Sequence, residues 1–295
     1  MMTYTETRGR IIVQFFPRVA SLRKRGIAGW ITIVGLAMVS AVVLMTAAAP
    51  WISPHDPNEI GTGPVLAYPT WSFPLGTNHL GQDMLSRLIW GGSTMLQVAV
   101  LSVLVCLVVG VPVGLLSSYV GGLFDKSASL AMDSIYAFPG LVLAIAIAAM
   151  LGPGVVNMSL SIAVVYVPSY YRIVRSQVLS IKELPYVEAA KTLGAPARST
   201  LLRYILPNVL PSVVAVATVN FADAILTAAG LTFVGLGLPV SIPDWGWDLT
   251  YGRRLLPSGA WWVITFPGLM IVILALGFAL AGEGLSELLN PKLKE

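Results

Sequence analysis

The chain has 295 residues, of which 56% are apolar and only 11% charged, and its formal net charge is +4. Soluble domains carry about 25% charged residues, so this chain cannot cover a globule with polar surface, and a soluble fold is excluded. Its single cysteine, Cys106, excludes a disulfide framework and a cysteine-based metal site. The basic residues flank apolar stretches, which is typical of membrane topology and does not indicate nucleic-acid binding.

Six continuous apolar stretches each have about the 20 residues that a membrane-spanning helix needs. They do not alternate in polarity, which excludes a β-barrel. Gly110 and Gly114, four residues apart in the second stretch, predict a face on which another helix packs closely. We therefore predict an all-α polytopic membrane protein, and its six transmembrane helices are predicted at 28–49, 93–117, 130–151, 158–178, 209–236 and 260–281.

The lysines and arginines give the chain a direction across the membrane. If the N-terminal tail, 1–27, is cytoplasmic, fifteen of these residues lie inside and three lie outside, namely Arg87, Arg253 and Arg254. Basic residues concentrate on the cytoplasmic side, so both termini are predicted to be cytoplasmic, in a plasma or inner membrane. The remaining parts follow from this topology: a first span at 28–49, an extracytoplasmic loop at 50–92, a core transmembrane domain at 93–281 and a cytoplasmic tail at 282–295.

The long cytoplasmic loop, 182–208, contains signals for a short helix with sharp ends. Pro185 suits the first turn of a helix, where its missing N–H group is not needed. Gly194 suits the left-handed position that ends a helix, and Pro196 prevents continuation. A second amphipathic stretch is predicted at 198–205.

Two interpretations of this short helix remain open from the residues alone. It is either an incidental surface helix or a rigid element that enters a groove on a partner protein. Ala189 and Ala190 keep part of it slim, which suits the second interpretation. Beyond the second amphipathic stretch, Pro207 and Pro211 are predicted to interrupt the chain before the fifth span.

The same loop carries a family signature. Glu188-Ala189-Ala190, followed by Gly194 and then by Leu206-Pro207, resembles the EAA motif of bacterial ABC importer permeases. Tyr204 stands where the general motif has Ile, as is common in the peptide-importer branch. Further stretches are similar, in the same order, to the C-type permeases of the dipeptide, oligopeptide and nickel branch, and they lie at 74–87, 119–122, 133–139, 152–154, 231–237 and 282–291.

The chain departs from that branch at three positions. The family often has Asp, Arg and Glu where this chain has Asn78, Gln82 and Ala228. Any role that those charges have in the family is therefore not carried over here.

The resemblance implies a type I ABC importer permease fold in which the loop at 182–208 is the coupling helix. It implies that the loop docks into a cleft of a cytoplasmic ATPase and transmits its motion. The residues that match the ATPase-coupling motif are Glu188, Ala189, Ala190, Gly194, Leu206 and Pro207. In the extracytoplasmic motif, Gly76, Asp83 and Arg87 are candidates for facing the receptor.

The implied partners are a homologous B-type permease forming a heterodimer, two ABC ATPases, an extracytoplasmic binding protein and the surrounding lipid. No lysine of the chain follows a glycine, so the chain has no P-loop. ATP and magnesium are therefore expected in the partner ATPases, and the chain itself is expected to be non-catalytic and without a cofactor. The cargo implied by the branch is a peptide, with nickel or metal chelates, glutathione, opines and oligosaccharides as alternatives.

Few other residues suggest chemistry. His55 and His79 are too few and too far apart to predict a metal site. Asp223, with Asn220 beside it, falls inside the fifth predicted span. An acid in a span is expensive and often functional, so these two residues either line the translocation path or make a packing contact. Rival classes are a self-contained secondary transporter and a structural scaffold, but the sequence shows no internal repeat that would favour the transporter.

Overall fold

The computed structural model describes residues 26–239 and 241–289 of the chain, which fold almost entirely into helices. Most of the predicted N-terminal tail and the end of the C-terminal tail, including Asn290 and Pro291, lie outside the described residues. The main helices are α1 (Gly26–Ala47), α2 (Met84–Val120), α3 (Gly122–Tyr136), α4 (Gly140–Leu151), α5 (Val155–Ile181), α6 (Pro185–Thr192), α7 (Leu206–Phe233), α8 (Trp245–Leu255) and α9 (Trp262–Leu289). Among the described residues, the only strand-like pairing is an isolated bridge between Thr77 and Asp83.

The helices pack as a bundle around α2, α5 and α7. The most extensive contact joins α2 to α5, while α9 packs against both α1 and α7. Gly110 and Gly114 allow the α2–α5 contact, because a Cβ atom at either position would lie within 3.0 Å of the Cβ of Tyr170 or Val174. This confirms the close packing face predicted from their spacing.

The prediction of a third span at 130–151 as one straight helix is wrong. The chain forms α3 and α4 instead, and their axes meet at 91°. Pro139 lies at the break with an extended ψ of 121° and is the residue from which α4 begins. A proline disfavours helical geometry in the residue before it and lacks the N–H that would continue the helix.

The number of spans supported by length and apolar composition is four, or five if the bent pair α3–α4 is one span. The four are α1, α2, α9 and the continuous helical stretch Ala197–Phe233. Helix α5, which contains the fourth predicted span, has 27 residues but carries Arg172 and Arg175 toward its end. The described residues therefore support the predicted helical membrane fold, while the count of six rests on including α5 and the bent pair.

The predicted interruption at Pro207 and Pro211 does not occur. Residues Ala197–Ser199 are helical, Thr200–Ile205 form a π-helix, and this leads directly into α7, with Pro207 in its first turn and Pro211 inside it. A π-helical turn is wider than an α-helical turn and bonds residues five apart. The change of hydrogen-bond pattern occurs just before Pro207, whose missing N–H falls where the α-helical pattern begins again.

Candidate functional site

The loop at 182–208 contains the predicted short helix, with the predicted ends. Helix α6 has Pro185 in its first turn. It ends at Thr192. Gly194 follows two residues later with a φ of +80°, and its N–H donates to the carbonyl oxygen of Lys191 over 2.9 Å. Glycine adopts this left-handed conformation without strain. The prediction of a short, sharply bounded helix is confirmed.

One side of α6 is fixed to the bundle. Val187 and Ala190 are buried, and Val187 packs in an apolar cluster with Ile181, Leu201 and Ile205. Because Ile181 ends α5 and Ile205 leads into α7, α6 is packed against the ends of two long helices.

Two lysines link the end of α2 to its neighbours, one to the end of α5 and one to α6. Lys182, at the end of α5, donates to the carbonyl oxygen of Ser118 over 3.2 Å. The Lys191 ammonium lies 5.5 Å from the centre of the Tyr119 ring. Helix α6 is therefore connected to all three long helices that form the centre of the bundle.

The other side of α6 is an exposed surface that mixes apolar and acidic groups. Glu188 and Ala189 are exposed, and the large apolar side chains Leu184, Tyr186 and Leu193 are exposed with them, with Leu193 88% accessible. We call these five residues the α6 face. Apolar side chains exposed together in this way are typical of protein–protein contact sites.

The structure divides the predicted coupling residues into three groups. Glu188, Ala189 and Gly194 are exposed, and Ala190 is buried beneath them. Leu206 and Pro207 are partly buried at the junction between the π-helix and α7. The motif thus combines an exposed surface, a small buried residue and a helix junction.

Two ion pairs join α3 to α5. The Arg175 guanidinium donates to both oxygens of Asp125, over 2.9 Å and 2.7 Å. Arg172 donates to Asp133 over 2.7 Å and lies over the Tyr136 ring. The signal available in the sequence was the presence of single acids and arginines at the ends of apolar stretches.

Asp223 and Asn220 lie on α7, inside the bundle. Asn220 is buried, whereas Asp223 is half-buried. The hydroxyl of Tyr166, on α5, lies 2.8 Å from the Thr227 hydroxyl and donates to the Asp223 carbonyl oxygen over 3.4 Å. The structure therefore brings the two predicted path residues together with polar side chains of α5.

The three extracytoplasmic candidates are buried, which corrects the expectation that they present a surface to a receptor. Asp83 caps α2 by accepting hydrogen bonds from the N–H groups of Leu85 and Ser86. Arg87 forms a buried ion pair with Asp248, with 2.9 Å between Nε and Oδ1. Gly76 has a φ of +75°, and a Cβ there would lie 2.7 Å from Trp262. All three stabilise the shape of the external loop.

The same external layer contains a buried acid that was not predicted. Asp244 is fully buried and caps α8 by accepting from the Trp247 N–H over 2.9 Å. Burial raises the pKa of Asp244 to about 6. The pKa of His79 is lowered by burial and by the nearby Arg87 guanidinium. Within the described part of the chain, no three His, Cys, Asp or Glu residues are grouped so that they could hold a metal ion.

Comparisons with known proteins fit this architecture. A family model described as "Binding-protein-dependent transport system inner membrane component" matches residues 110–295. The chain is 38% identical over 266 residues to the di/tripeptide transport system permease protein DppC of Pseudomonas aeruginosa, covering 88% of each chain. The chain belongs to this permease family.

Other relatives of the permease differ in the cargo that their names give. This chain is 37% identical to the dipeptide transport system permease protein DppC of Alkalihalophilus pseudofirmus, and the match covers 90% of this chain and 86% of the relative. It is 36% identical to the glutathione transport system permease protein GsiD of Pectobacterium atrosepticum, over 86% of this chain and 85% of that one.

A solved structure shares the permease fold. It is a chain of the MetNI methionine ABC transporter in inward-facing conformations, with a TM-score of 0.57 and 21% identity, covering 70% of this chain and 98% of the other. The predicted ABC importer permease fold is confirmed. The protein is a multi-pass inner-membrane component and forms the transmembrane part of an ABC importer.

Proposed function

We propose that this permease imports peptides and is driven by ATPases that dock on the α6 face. In this proposal it pairs with a homologous B-type permease, receives cargo from an extracytoplasmic binding protein and contacts two cytoplasmic ABC ATPases. It carries out no covalent chemistry, and ATP and magnesium bind only to the ATPases. Both of its termini are cytoplasmic, and Asp223 and Asn220 face the translocation path.

The observation that carries the proposal is the two-sided character of α6. Its exposed side offers Leu193, Tyr186 and Glu188 to a partner, while Val187 anchors the other side between α5 and α7. A rigid helix anchored in this way moves the spans when its partner moves. An incidental surface helix has no reason to combine a tight anchor with an exposed apolar face.

The names of the relatives support a peptide as cargo, since DppC proteins of two organisms are named for dipeptides or di/tripeptides. Glutathione is itself a small peptide, and the relative named for it is nearly as similar. Nickel or metal chelates, opines and oligosaccharides remain the alternatives. A self-contained secondary transporter is the rival of another class, and it would need no ATPase.

The test is co-expression of the permease with the proteins encoded beside it, followed by purification through a tag on the permease. We expect an ABC ATPase to co-purify and the reconstituted complex to take up a labelled dipeptide only with ATP. Uptake without any ATPase would establish the secondary transporter instead. A thermal-shift screen of the neighbouring binding protein against peptides, glutathione, nickel chelates and sugars identifies the cargo class.

A further inference from the structure

Helix α3 is attached to the rest of the chain mainly by polar contacts. It has 15 residues, and Asp125 is the only one of them that is buried within this chain. It packs mainly against α2 and α5. An element with few buried apolar side chains is held weakly by packing, so the position of α3 depends on the polar contacts that Asp125 and its neighbours make.

The chain breaks at both ends of α3. Gly121 and Gly122, which join α2 to α3, have φ values of +74° and +64°. A Cβ atom at either position would meet no other atom within 4 Å, so the backbone conformation and not packing favours glycine there. At the other end, Pro139 lies in the 91° break between α3 and α4. Hinges form at such element ends, where a few residues absorb a change in φ and ψ.

A buried ion pair fixes the start of α3 against α5. The Arg175 guanidinium bonds both carboxylate oxygens of Asp125, as described above. Tyr171, one turn earlier on α5 and 1% exposed, donates to Asp125 over 3.4 Å and lies 2.8 Å from the Ser129 hydroxyl of α3. Two-point contacts between arginine and a carboxylate are strong and directional. We call Asp125, Tyr171 and Arg175 the α3 anchor.

The far end of α3 is held less firmly. Its ion pair, Asp133 with Arg172, is exposed on both side chains, whereas the Asp125 side chain is only 11% exposed. Exposed ion pairs contribute little to stability, and a buried acid is costly once its partner is removed. Helix α3 is therefore fixed at its start, beside the two glycines, and is freer toward the break at Pro139.

The last turn of α2 contacts both the α3 anchor and α6. The Ser117 hydroxyl lies 3.5 Å from the hydroxyl of Tyr171 in the anchor. Tyr119, in the same turn of α2, lies 5.5 Å from the ammonium group of Lys191 on α6. These contacts form a contiguous set from α6 to α3, which is the kind of network that carries coupling between sites.

We propose that α3 is a movable segment of the permease and that the α3 anchor sets its position according to the state of α6. This inference rests on the proposed function, and it adds which part of the chain responds when an ATPase on the α6 face moves. The ion pair between Asp125 and Arg175 is closed in this structure, and α3 moves about its two ends when the pair opens. Both residues are positioning residues, because they act through the place that they give to α3.

The first test measures the position of α3 and leaves the anchor intact. Ser134, near the far end of α3, and Ser180, near the end of α5, are both exposed. Both are changed to cysteine and spin-labelled in the complete complex, whose other subunits carry no reactive cysteine, while Cys106 is buried and stays unlabelled. We expect the distance between the labels to differ between the nucleotide-free complex and the complex trapped with ATP and vanadate. The same distance distribution in both states overturns the movable segment.

The second test breaks the anchor in proteoliposomes with binding protein and alanyl-alanine. We expect Asp125→Asn and Arg175→Gln each to raise the ATP hydrolysed per alanyl-alanine taken up by at least about threefold. The double variant should be no worse than the worse single variant, because residues that act as a pair are not additive. Lys126→Gln removes an exposed charge from the neighbouring position of α3 and is the matched control. A normal ratio in both single variants, or additive effects, overturns the anchor.

The third measurement separates the anchor from a general role in folding. In the spin-labelled complex without nucleotide, Asp125→Asn should add the distance that the wild type shows only in the trapped state. Arg175→Lys keeps the charge but cannot bond both oxygens in the same fork, so it should add a smaller fraction of that distance. It also replaces Arg175→Gln if that variant fails to assemble. A nucleotide-free distance that neither Asp125→Asn nor Arg175→Lys changes overturns control by the anchor.

These outcomes are distinct from failure of the proposed function. If the permease does not import peptides, the wild-type complex takes up no alanyl-alanine, yet the distance between the labels still responds to ATP when an ATPase co-purifies. If only the movable segment is wrong, wild-type uptake is normal and the distance is the same with and without nucleotide.

Discussion

Gly194 illustrates how one residue sets the shape of the coupling surface. Its φ of +80° is unfavourable for side chains with a branched β-carbon, yet a Cβ atom at this position would meet no other atom within 4 Å. Space is therefore available, and only the backbone conformation excludes most residues. Asparagine is the non-glycine residue that tolerates this conformation best.

This difference gives a matched pair of substitutions. Gly194→Val should move the end of α6 and uncouple ATP hydrolysis from uptake or lose the ATPase, since the strain of a left-handed β-branched residue costs about 1–3 kcal/mol. Gly194→Asn should keep the conformation and most of the activity. ATPase co-purification and uptake measure the effect, and membrane insertion should be normal in both variants. Normal coupling in Gly194→Val would refute the role of the helix end.

Asp244 gives a pH-dependent prediction. Burial raises its pKa to about 6 in the folded protein, above the value near 3.9 expected of an unfolded chain. The folded state therefore binds the proton more tightly, so its contribution to stability is complete below about pH 4 and is lost as the pH rises through about 6. At neutral pH the buried carboxylate lowers the free energy of unfolding.

Asp244→Asn removes this titration and keeps a side chain that caps helices well. We expect the variant to gain thermal stability relative to wild type as the pH rises from about 4 to 7, by up to about 3 kcal/mol in the free energy of unfolding. Thermal unfolding of the purified permease in detergent at several pH values measures this. If the difference in thermal stability between Asp244→Asn and wild type is the same at every pH, the raised pKa of Asp244 is contradicted. Glu59→Gln is the control for the loss of one carboxylate.

At the scale of the helix, α6 shows which features sequence reasoning captures. Its ends follow from Pro185 and Gly194, which act through local backbone geometry, and local geometry is readable in sequence. The bend between α3 and α4 escaped prediction, because an apolar run containing Pro139 is compatible with either a kinked span or a sharp 91° turn. In the structure α3 is joined to α5 by the Asp125–Arg175 and Asp133–Arg172 ion pairs, and those contacts are not local in sequence.

The candidate site divides in the same way. The motif does not show which of its residues are exposed, namely Glu188 and Ala189, and which is buried, namely Ala190. All three belong to one short helix and differ only in the side of the helix on which they lie. The burial of Asp83 and Arg87 was missed for a related reason. Asp83 bonds the nearby Ser86, but Arg87 bonds Asp248, which lies 161 residues further along the chain. Charged residues in a loop are expected at the surface unless such a distant partner is known.

The two faces of α6 are tested by adding the same side chain to each. Ala190→Leu should overpack the buried side and lower the stability of the purified permease by about 1–3 kcal/mol. Ala189→Leu should leave stability unchanged and instead weaken ATPase binding, because it enlarges the exposed face. Thermal unfolding and ATPase co-purification distinguish the two effects. The proposed docking face would be wrong if Ala189→Leu bound the ATPase normally while remaining folded.

At the scale of the whole molecule, the proposal requires α6 and the external loop to lie on opposite sides of the membrane. Leu193, beside α6, is 88% exposed, and Trp71, in the loop before α2, is fully exposed. The single native cysteine, Cys106, is 1% exposed and hydrogen-bonds to the carbonyl of Ala163 between α2 and α5. It should therefore remain unreactive, so each new cysteine can be introduced without removing it.

We expect Trp71→Cys to react with a membrane-impermeant maleimide in intact spheroplasts, and Leu193→Cys to react only after the membrane is permeabilised. The wild-type chain, with Cys106 alone, is the background control, and mass spectrometry identifies the labelled residue. Fifteen of the 18 basic residues fall on the side of α6 in this topology, which is the side that the positive-inside rule assigns to the cytoplasm. The reverse labelling pattern would place the α6 face outside the cell, away from ATP, and would remove the physical basis for coupling through it.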